Sequence, residues 1–422
     1  MREESPDTVK SEYSGVAKVR RGLKVNILAK RLEGWGVRPV SIIGIGSTAF
    51  AKLEGKSVVD LATDACIGAL GDAGVEPKKI QALYLGNFTS GILTGQEILA
   101  YAVANRLGLT GIPAGKTEGA CASSSVAFRQ ATIAIASGML DFALVVGVEK
   151  MTAATVAKVT AALASALDQS KEGKCGLTFP GIFAMMARRH MHEFGTTREQ
   201  IAMVSVKNRK NGVKNPIAQF RSEVAMEKIL SAKMITDPFV LYDCSPISDG
   251  AAAVVLCAGE IGRKVCRKPV SILACEQAVG YCSTDYMPDM VSFPATTMAV
   301  KRAYSAAGVS PRDIDFVELH DCFTIAEIID SEDLGLFEKG KGGFALEKGV
   351  TQPEGQTPIN ASGGLLSKGH PVGATGIGQV FEVCRQLRDE HPNQLNRARI
   401  GLAHNLGGTG AVASVTVLRR GN

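Results

Sequence analysis

Residues 69–86 read ALGDAGVEPKKIQALYLG, and residues 303–320 read AYSAAGVSPRDIDFVELH. Each segment is an alanine-rich helical pattern that ends at a glycine, Gly74 or Gly308, and continues through a proline-containing turn into an apolar run. Because the same order of helix, turn and strand occurs twice in 422 residues, the sequence predicts an internal duplication.

The parallel extends beyond these two segments. Each half opens with a β-rich run, at residues 40–45 and 270–274. In the first half a helix pattern after Cys121 leads to the apolar run 142–148, and in the second a helix pattern after His370 leads to the run 398–403. Alternating strands and helices in two similar halves predict an α/β protein of two packed units related by a pseudo-twofold axis.

The first half is interrupted by residues of a different character. Residues 151–247 separate the run 142–148 from a run at 251–257 that resumes the first half. We therefore predict a first half made of residues 39–150 and 248–268, an inserted loop domain at 151–247, and a second half at 269–422. The insertion is expected to cover a ligand, and a helical excursion that serves only an oligomer contact is the alternative.

Composition excludes several classes of protein. No apolar run approaches the length of a membrane span. The chain has ten cysteines but no CxxC pair, and their spacing matches neither a zinc site nor a disulfide framework. We therefore expect no bound metal and a reducing compartment. A net charge of +6, without a basic–aromatic array, does not indicate nucleic acid.

The N-terminal extension, residues 1–38, differs from the rest of the chain. Residues 1–15 carry four acids, and residues 17–32 carry six basic residues and no acid, interleaved with apolar ones. A basic amphipathic stretch is typical of a mitochondrial presequence, so we expect a mitochondrial location, with a peroxisomal or cytoplasmic one as alternatives. An arm that packs on the fold or on a partner is the other interpretation.

Cys121 lies in the stretch GACASSS, residues 119–125, directly before a long helical pattern. A thiol on the first turn of a helix meets free backbone N–H groups and the positive end of the helix dipole, and both stabilise a thiolate. The pattern therefore indicates a nucleophile, although most free cysteines are small buried hydrophobic residues.

Two further segments favour the nucleophile. Residues 317–323 read VELHDCF, so an apolar strand ends at His320 and Cys322. Residues 360–376 read NASGGLLSKGHPVGATG, a glycine-rich loop that presents His370 before a helix. Such loops let the backbone approach a ligand closely, and a histidine there can act as the base for a thiol.

These motifs resemble those of the thiolases over roughly residues 40–419. The segments HDCF and GGLLSKGHPVGATG, with HNLGG at 404–408, are similar to the sterol carrier protein type of thiolase. The resemblance implies a five-layered αβαβα fold and reversible Claisen chemistry on coenzyme A thioesters. It implies that CoA is a substrate and that no cofactor is tightly bound.

The resemblance also implies roles for individual residues. Cys121 accepts the acyl group, His370 takes its proton, and His320 donates a hydrogen bond to the enolate oxygen. Because His404 stands where other thiolases have a second cysteine, Cys322 is the natural acid–base at C2 of acetyl-CoA, and a packed strand-end cysteine is the alternative.

Four further residues are assigned by the same resemblance. Ser245 matches the serine that touches the pantetheine arm of CoA, with a turn cap as the equal alternative. Gly407 is expected at the CoA site, and His404 and Asn405 in supporting positions.

The implied reaction converts 3-oxoacyl-CoA and CoA into acetyl-CoA and a shortened acyl-CoA, in fatty-acid or sterol-side-chain degradation. Biosynthetic condensation of two acetyl-CoA molecules to acetoacetyl-CoA is the alternative, and a binding protein that holds acyl-CoA without turnover is the alternative of another class. We also expect a homodimer, formed through the sheet that contains residues 142–148, with a tetramer as the alternative.

Overall fold

A computed structural model describes residues 37–421 of the chain. Nine strands form one mixed sheet in the order β3–β2–β4–β7–β1–β8–β11–β10–β9, and β5 and β6 form a separate hairpin. The strands are β1 (Val40–Ser47), β2 (Leu83–Gly86), β3 (Ala114–Thr117), β4 (Phe142–Glu149), β5 (Met234–Thr236), β6 (Phe239–Val240), β7 (Gly250–Ala258), β8 (Val270–Val279), β9 (Phe316–Glu318), β10 (Ile400–Gly407) and β11 (Val412–Arg420).

Fourteen α-helices occur within this range. They are α1 (Val58–Ala73), α2 (Ser90–Thr94), α3 (Leu99–Arg106), α4 (Ser123–Ala136), α5 (Val156–Ala164), α6 (Phe179–Phe194), α7 (Arg198–Gly212), α8 (Met226–Leu230), α9 (Gly259–Val265), α10 (Pro294–Ala307), α11 (Thr324–Asp333), α12 (Gly342–Glu347), α13 (Gly364–Lys368) and α14 (Thr375–Leu387). None of them combines the length and the apolar character that crossing a bilayer requires.

The sheet is two similar sheets that meet at a short seam. β1 and β8 are joined by only three residue pairs, whereas β1 and β7 pair along their whole length. In the first half β2 and β4 are parallel and β7 runs antiparallel between β4 and β1. In the second half β9 and β10 are parallel and β11 runs antiparallel between β10 and β8. The duplication is therefore present in the strand order as well as in the sequence.

The five layers implied by the sequence are confirmed. α1 covers the outer face of the first sheet, and α10 covers the outer face of the second. The paired helices α4 and α14 fill the space between the two sheets. Their buried side chains include Phe128, Ile135, Ile377 and Val383, and each fully buried side chain of this size contributes about 1.5–3 kcal/mol.

Local sequence explains the outer helix α1. Its N-terminus carries a reciprocal capping box between Ser57 and Asp60, and it ends at the predicted glycine, Gly74. Strand β1 lies against it so closely that a Cβ on Gly44 would sit 2.2 Å from the carbonyl oxygen of Ala69. Glycine in the strand is thus what allows an alanine-rich helix to pack directly on the backbone of β1.

The inserted residues are tied to the second half by buried polar contacts. From α7, the amide of Asn208 donates to Asp321 at 2.8 Å and to Glu327 at 2.9 Å. The ammonium of Lys207 lies 2.8 Å from Glu327. The buried ion pair and the amide hydrogen bonds together fix α7 over the segment that contains His320. A lid function for the insertion stays a prediction.

The sheet expected to form the oligomer contact ends at another strand. Residues 142–148 lie in β4, which is hydrogen-bonded on both sides, to β2 and to β7. Within residues 37–421 the edge strand of the first sheet is β3. A run of apolar residues marks a strand but does not say where the strand lies in the sheet. The oligomer itself stays a prediction. The predicted targeting segment lies outside the described residues, apart from positions 37 and 38.

Candidate active site

Three loops from both halves of the chain meet at one point. Cys121 precedes α4, His320 follows β9, and His370 lies between α13 and α14. The Sγ atom of Cys121 and one ring nitrogen of each histidine lie within 4.8 Å of one another. The structure thus brings together the three residues that the sequence singled out first.

Cys121 sits in a strained turn at the start of α4. The preceding residue, Ala120, has a φ of +49°, a left-handed conformation that is uncommon outside glycine. The hydroxyl of Ser123 braces the turn, since it accepts from the N–H of Gly119 at 3.0 Å and donates to the carbonyl of Ala120 at 2.6 Å. The turn thereby holds the thiol in the cavity wall, half-buried.

The expected thiolate is wrong for the resting site. Burial, together with the nearby carboxylate of Glu149, raises the pKa of Cys121 to about 12. The backbone N–H groups of Gly408 and Cys121 itself lower that pKa, as the helix-start argument requires, but they do not outweigh desolvation. Cys121 is therefore a thiol at neutral pH, and its attack on a carbonyl needs a base.

His370 is held as the neutral ring that a base requires. Burial lowers its pKa to about 3. Nδ1 lies 2.7 Å from the hydroxyl of Thr375, and that hydroxyl donates its proton to the carbonyl of Pro371 at 3.2 Å. The hydroxyl must then accept from Nδ1–H, which leaves the lone pair of Nε2 free to take a proton.

His320 is held in the opposite tautomer. The amide nitrogen of Asn405 donates to its Nδ1 at 2.9 Å, and the amide is oriented because its oxygen accepts from the hydroxyl of Ser125 at 2.9 Å. The ring proton therefore sits on Nε2. Burial, followed by the charges of His370 and His404, lowers the pKa of His320 well below its ordinary value. This ring presents a hydrogen-bond donor, which suits an oxyanion and does not suit a metal ion.

Asp321 joins the two histidine segments. Its carboxylate accepts from the backbone N–H groups of Leu365 at 2.7 Å and Leu366 at 3.2 Å, in the glycine-rich loop. The same side chain receives the amide of Asn208 from the insertion. One acidic residue therefore fixes the relative position of His320 and the loop that carries His370.

Cys322 is buried and lines the same cavity as Cys121. Burial, then the proximity of Cys121, Asp330 and Asp321, raises its pKa well above the ordinary value. Cys322 is therefore a thiol in the resting site, so it begins a reaction as a proton donor.

His404 lies behind the site and does not line the cavity. Its Nε2 is 3.0 Å from the hydroxyl of Thr296 and 3.6 Å from Asp330, and burial lowers its pKa to about 3. Its neighbour Asn405 is the residue that reaches the centre, through His320. Of the two residues predicted in supporting positions, Asn405 is thus the one that contacts His320.

The glycine expected at the CoA site, Gly407, does not line the cavity, but the next residue does. Gly408 lines the cavity, whereas Gly407 packs against the nucleophile turn. A Cβ at Gly407 would sit 2.3 Å from the carbonyl oxygen of Gly119. Gly407 thus allows β10 to approach the turn, and Gly408 supplies the N–H that faces the Cys121 sulfur.

Ser245 lines the cavity, and its backbone N–H donates to the carbonyl of Cys322 at 3.0 Å. Ser248, which the sequence gave no role, makes the turn contacts. Its hydroxyl donates to Gln219 at 2.5 Å and accepts from the N–H of His370 at 3.1 Å. Among the described residues, the hydroxyl that caps this turn therefore belongs to Ser248 and not to Ser245.

The cavity has a volume of about 710 Å³. Part of its wall is aromatic, because Phe183 and Phe323 line it and stack at 4.7 Å, and the ring of Phe239 lies 5.8 Å from that of Phe323. Thr375, Ser248 and Gly408 complete the site and were not predicted. Little in the sequence points to these three residues. A hydroxyl close to a histidine in sequence does not indicate which ring nitrogen it contacts, and a second glycine in a glycine pair does not indicate that it lines a cavity.

Comparisons with known proteins agree with this geometry. The family model described as "Thiolase, N-terminal domain" matches residues 40–260, and "Thiolase C-terminal domain-like" matches residues 277–420. An acetyl-CoA acetyltransferase of Methanothermobacter thermautotrophicus is 47% identical, over 91% of this chain and 100% of the relative. Sterol carrier protein 2 of Bos taurus is 36% identical, over 90% of this chain and 72% of the relative.

Solved structures show the same architecture. A structure described as "Ltp2-ChsH2(DUF35) aldolase" has a TM-score of 0.78 and 26% identity, and the match covers 90% of this chain and 97% of that one. Human mitochondrial 3-ketoacyl-CoA thiolase has a TM-score of 0.71 and 17% identity, with 91% and 99% covered. At that identity the second likeness concerns the fold alone.

Proposed function

We propose that this chain, which belongs to the thiolase family of acyltransferases, interconverts acetoacetyl-CoA plus CoA with two molecules of acetyl-CoA. The observation that carries the proposal is the cluster of a thiol and two imidazoles, within 4.8 Å, in the wall of one cavity. The archaeal acetyl-CoA acetyltransferases, 47% and 39% identical, support acetyl as the transferred group.

The first half-reaction breaks a carbon–carbon bond. Cys121 attacks the 3-keto carbon of acetoacetyl-CoA while Nε2 of His370 takes the thiol proton. The C2–C3 bond then breaks, and its electron pair forms the enolate of acetyl-CoA, whose oxygen accepts from Nε2–H of His320. The thiol of Cys322 protonates C2, so acetyl-CoA leaves and Cys322 is left as a thiolate.

The second half-reaction restores both cysteines. The Cys322 thiolate takes the proton of the incoming CoA thiol, and the resulting CoA thiolate attacks the acetyl group on Cys121. The sulfur of Cys121 leaves and recovers its proton from His370. CoA is thus a substrate in one direction and a product in the other, and the same residues serve condensation and thiolysis.

The aromatic part of the cavity wall favours a short acyl group. A long chain would have to displace the stacked rings of Phe183 and Phe323. We expect kcat/KM for thiolysis of acetoacetyl-CoA to exceed that for a long-chain 3-oxoacyl-CoA by at least about 100-fold. The Phe183→Ala variant should narrow this ratio, because it removes one of the two stacked rings from the cavity wall. An equal or greater rate with the long chain would instead support degradation of fatty acids, and binding without turnover of either would support an acyl-CoA-binding protein.

The pH dependence of acetylation follows from the two shifted groups. His370 loses its basic form only as the pH falls through its lowered pKa of about 3, and Cys121 keeps its thiol until the pH approaches about 12. We therefore expect the rate of acetyl transfer from acetyl-CoA to Cys121, measured by rapid quench, to stay level between about pH 8 and pH 5. A histidine of ordinary pKa, about 6.5, would instead make the rate fall by half near that pH.

Within residues 37–421, β3 pairs with β2 alone, and this edge supports a homodimer. Helix α3 packs beside β3, and Tyr101 on this helix and Ile98 just before it are more than half exposed. An uncovered edge strand with apolar neighbours is a place where a second copy pairs. Sedimentation at micromolar concentration should give a dimer, and the Ile98→Asp, Tyr101→Glu variant should shift it toward a monomer. A wild-type monomer with full activity would contradict this contact.

We also propose a mitochondrial location, which rests on the basic segment at residues 17–32. A place in fatty-acid β-oxidation is the alternative that a preference for the long-chain substrate would support.

A further inference from the structure

Arg209 is a buried cation that forms no ion pair with a carboxylate of the described residues, 37–421. It lies on α7 and lines the cavity that contains Cys121. Its guanidinium stacks over Phe220, 4.0 Å from the ring centroid, and over Tyr242 at 5.3 Å. It is 8% exposed, and its Nε has no hydrogen-bond partner within the part of the chain that the structure describes.

Other buried cations of this region are paired. Lys207, two positions earlier on α7, lies 2.8 Å from Glu327, and Lys368 lies 3.5 Å from Glu382. Arg198, at the start of α7, lies 2.6 Å from Asp243. No carboxylate of residues 37–421 forms such a pair with Arg209, and burial lowers its pKa. An uncompensated buried charge is costly, so its retention indicates that a ligand supplies the anion.

The position of Arg209 in the cavity indicates which anion of the ligand it binds. The guanidinium stacks on Phe220, and the exposed cavity residues Glu223 and Lys228 follow Phe220 in the chain. Cys322, His320 and His370 form the buried end. Because the carbonyl carbons of a CoA substrate's acyl group must reach Cys121, its nucleotide end extends toward the exposed end.

We propose that Arg209 binds a phosphate of the nucleotide part of coenzyme A, and this rests on the function proposed above. The planar guanidinium can donate two parallel hydrogen bonds to phosphate oxygens. The two aromatic rings hold its plane in one orientation, so little conformational entropy is lost when the phosphate binds. Arg209 is thus a binding residue for the carrier and does not touch the reacting atoms.

The test compares two thioesters that differ only in the nucleotide. Thiolysis is measured for acetoacetyl-CoA with CoA and for acetoacetyl-pantetheine with pantetheine. In the Arg209→Gln variant, kcat/KM for the CoA pair should fall by about 10- to 100-fold, mainly through KM, because one charge-assisted contact is lost. The value for the pantetheine pair should stay within about two-fold of wild type, because that pair carries no phosphate. Arg263→Gln is the matched control, since Arg263 is exposed, lies on α9 and does not line the cavity.

Several results would overturn the inference. An equal loss of kcat/KM with both thioesters would show that Arg209 has a structural role. No loss with either thioester would show that Arg209 does not contact the substrate. A selective loss with a pantetheine thioester that carries a carboxylate on its acyl chain would assign Arg209 to the substrate. If the glutamine variant does not fold, the Arg209→Lys variant is measured instead. We expect its KM for CoA to rise by about 3- to 10-fold, and an unchanged KM would overturn the inference.

Failure of the proposed function is distinguishable. If the wild-type protein turns over neither thioester, the role of Arg209 can still be tested by calorimetry. CoA and pantetheine are then titrated into the wild-type and Arg209→Gln proteins. A CoA affinity that does not change in the variant would overturn the inference in that case.

Discussion

Replacing Cys121 by alanine is expected to lower thiolysis of acetoacetyl-CoA by at least about 10⁴-fold, the order of loss seen when a covalent nucleophile is removed. The reason is geometric. Among the cysteines in the cavity wall, only Cys121 has ring nitrogens of both His320 and His370 within 4.8 Å. Steady-state assay of the purified variant measures the loss.

The control for this prediction uses the exposed cysteines. Cys175 and Cys282 are exposed and react with iodoacetamide regardless of the site. A protein with both changed to serine should keep full activity, and iodoacetamide should then inactivate it at a rate that acetyl-CoA slows. A Cys121→Ala variant that keeps more than about a tenth of wild-type activity would exclude Cys121 as the acyl carrier.

Replacing Cys322 by alanine is expected to separate the two half-reactions. Acetylation of Cys121 by acetyl-CoA leaves C2 untouched, and the CoA thiolate that departs can take its proton from water instead of Cys322, so the variant should still form the acyl-enzyme. Exchange of the acetyl-CoA methyl protons with deuterated water requires an acid–base at C2, so exchange and thiolysis should both fall by about 10³-fold. Mass spectrometry of acetyl-CoA follows the exchange.

Cys244 offers a matched control, since its thiol lines the same cavity and is half-buried. The Cys244→Ala variant should exchange and turn over near the wild-type rate. If the Cys322→Ala variant also does so, Cys322 is a packed strand-end cysteine and another group carries the proton.

The sequence was sufficient for features that are local or repeated. Helix, glycine, turn and strand appear together in residues 69–86 and 303–320, and the structure has α1 with β2 and α10 with β9 at those places. Cys121, His320 and His370 each follow or precede such an element, so their convergence could be predicted from the duplication. The two packed α/β halves were therefore predictable from pattern, and the five layers from the resemblance to the thiolases.

The electrostatics of the site could not be predicted in this way. The tautomer of His320 depends on Asn405, which lies 85 positions away, and on Ser125, which is 280 positions from Asn405. The pKa of Cys121 depends on its burial beside Glu149, which outweighs the helix-start N–H groups. Burial and distant hydrogen bonds arise only when both halves are assembled, so a motif cannot report them.

The environment of Arg209 is a second feature that could not be predicted from the sequence. Residues 207–210 read KNRK, which as a sequence indicates only a basic helix. The structure distinguishes them, because Lys207 is paired in the interior and Arg209 faces the cavity. A difference of two positions on a helix changes the face, and only the packing says which face meets the ligand.

Acid-quenched mass spectrometry after mixing with acetoacetyl-CoA in the absence of CoA tests the central claim most directly. We expect one acetyl group on the peptide that contains Cys121, and we expect added CoA to remove it as acetyl-CoA. An acetyl group on Cys322 or on no cysteine, in a protein that turns over acetoacetyl-CoA, would contradict the account.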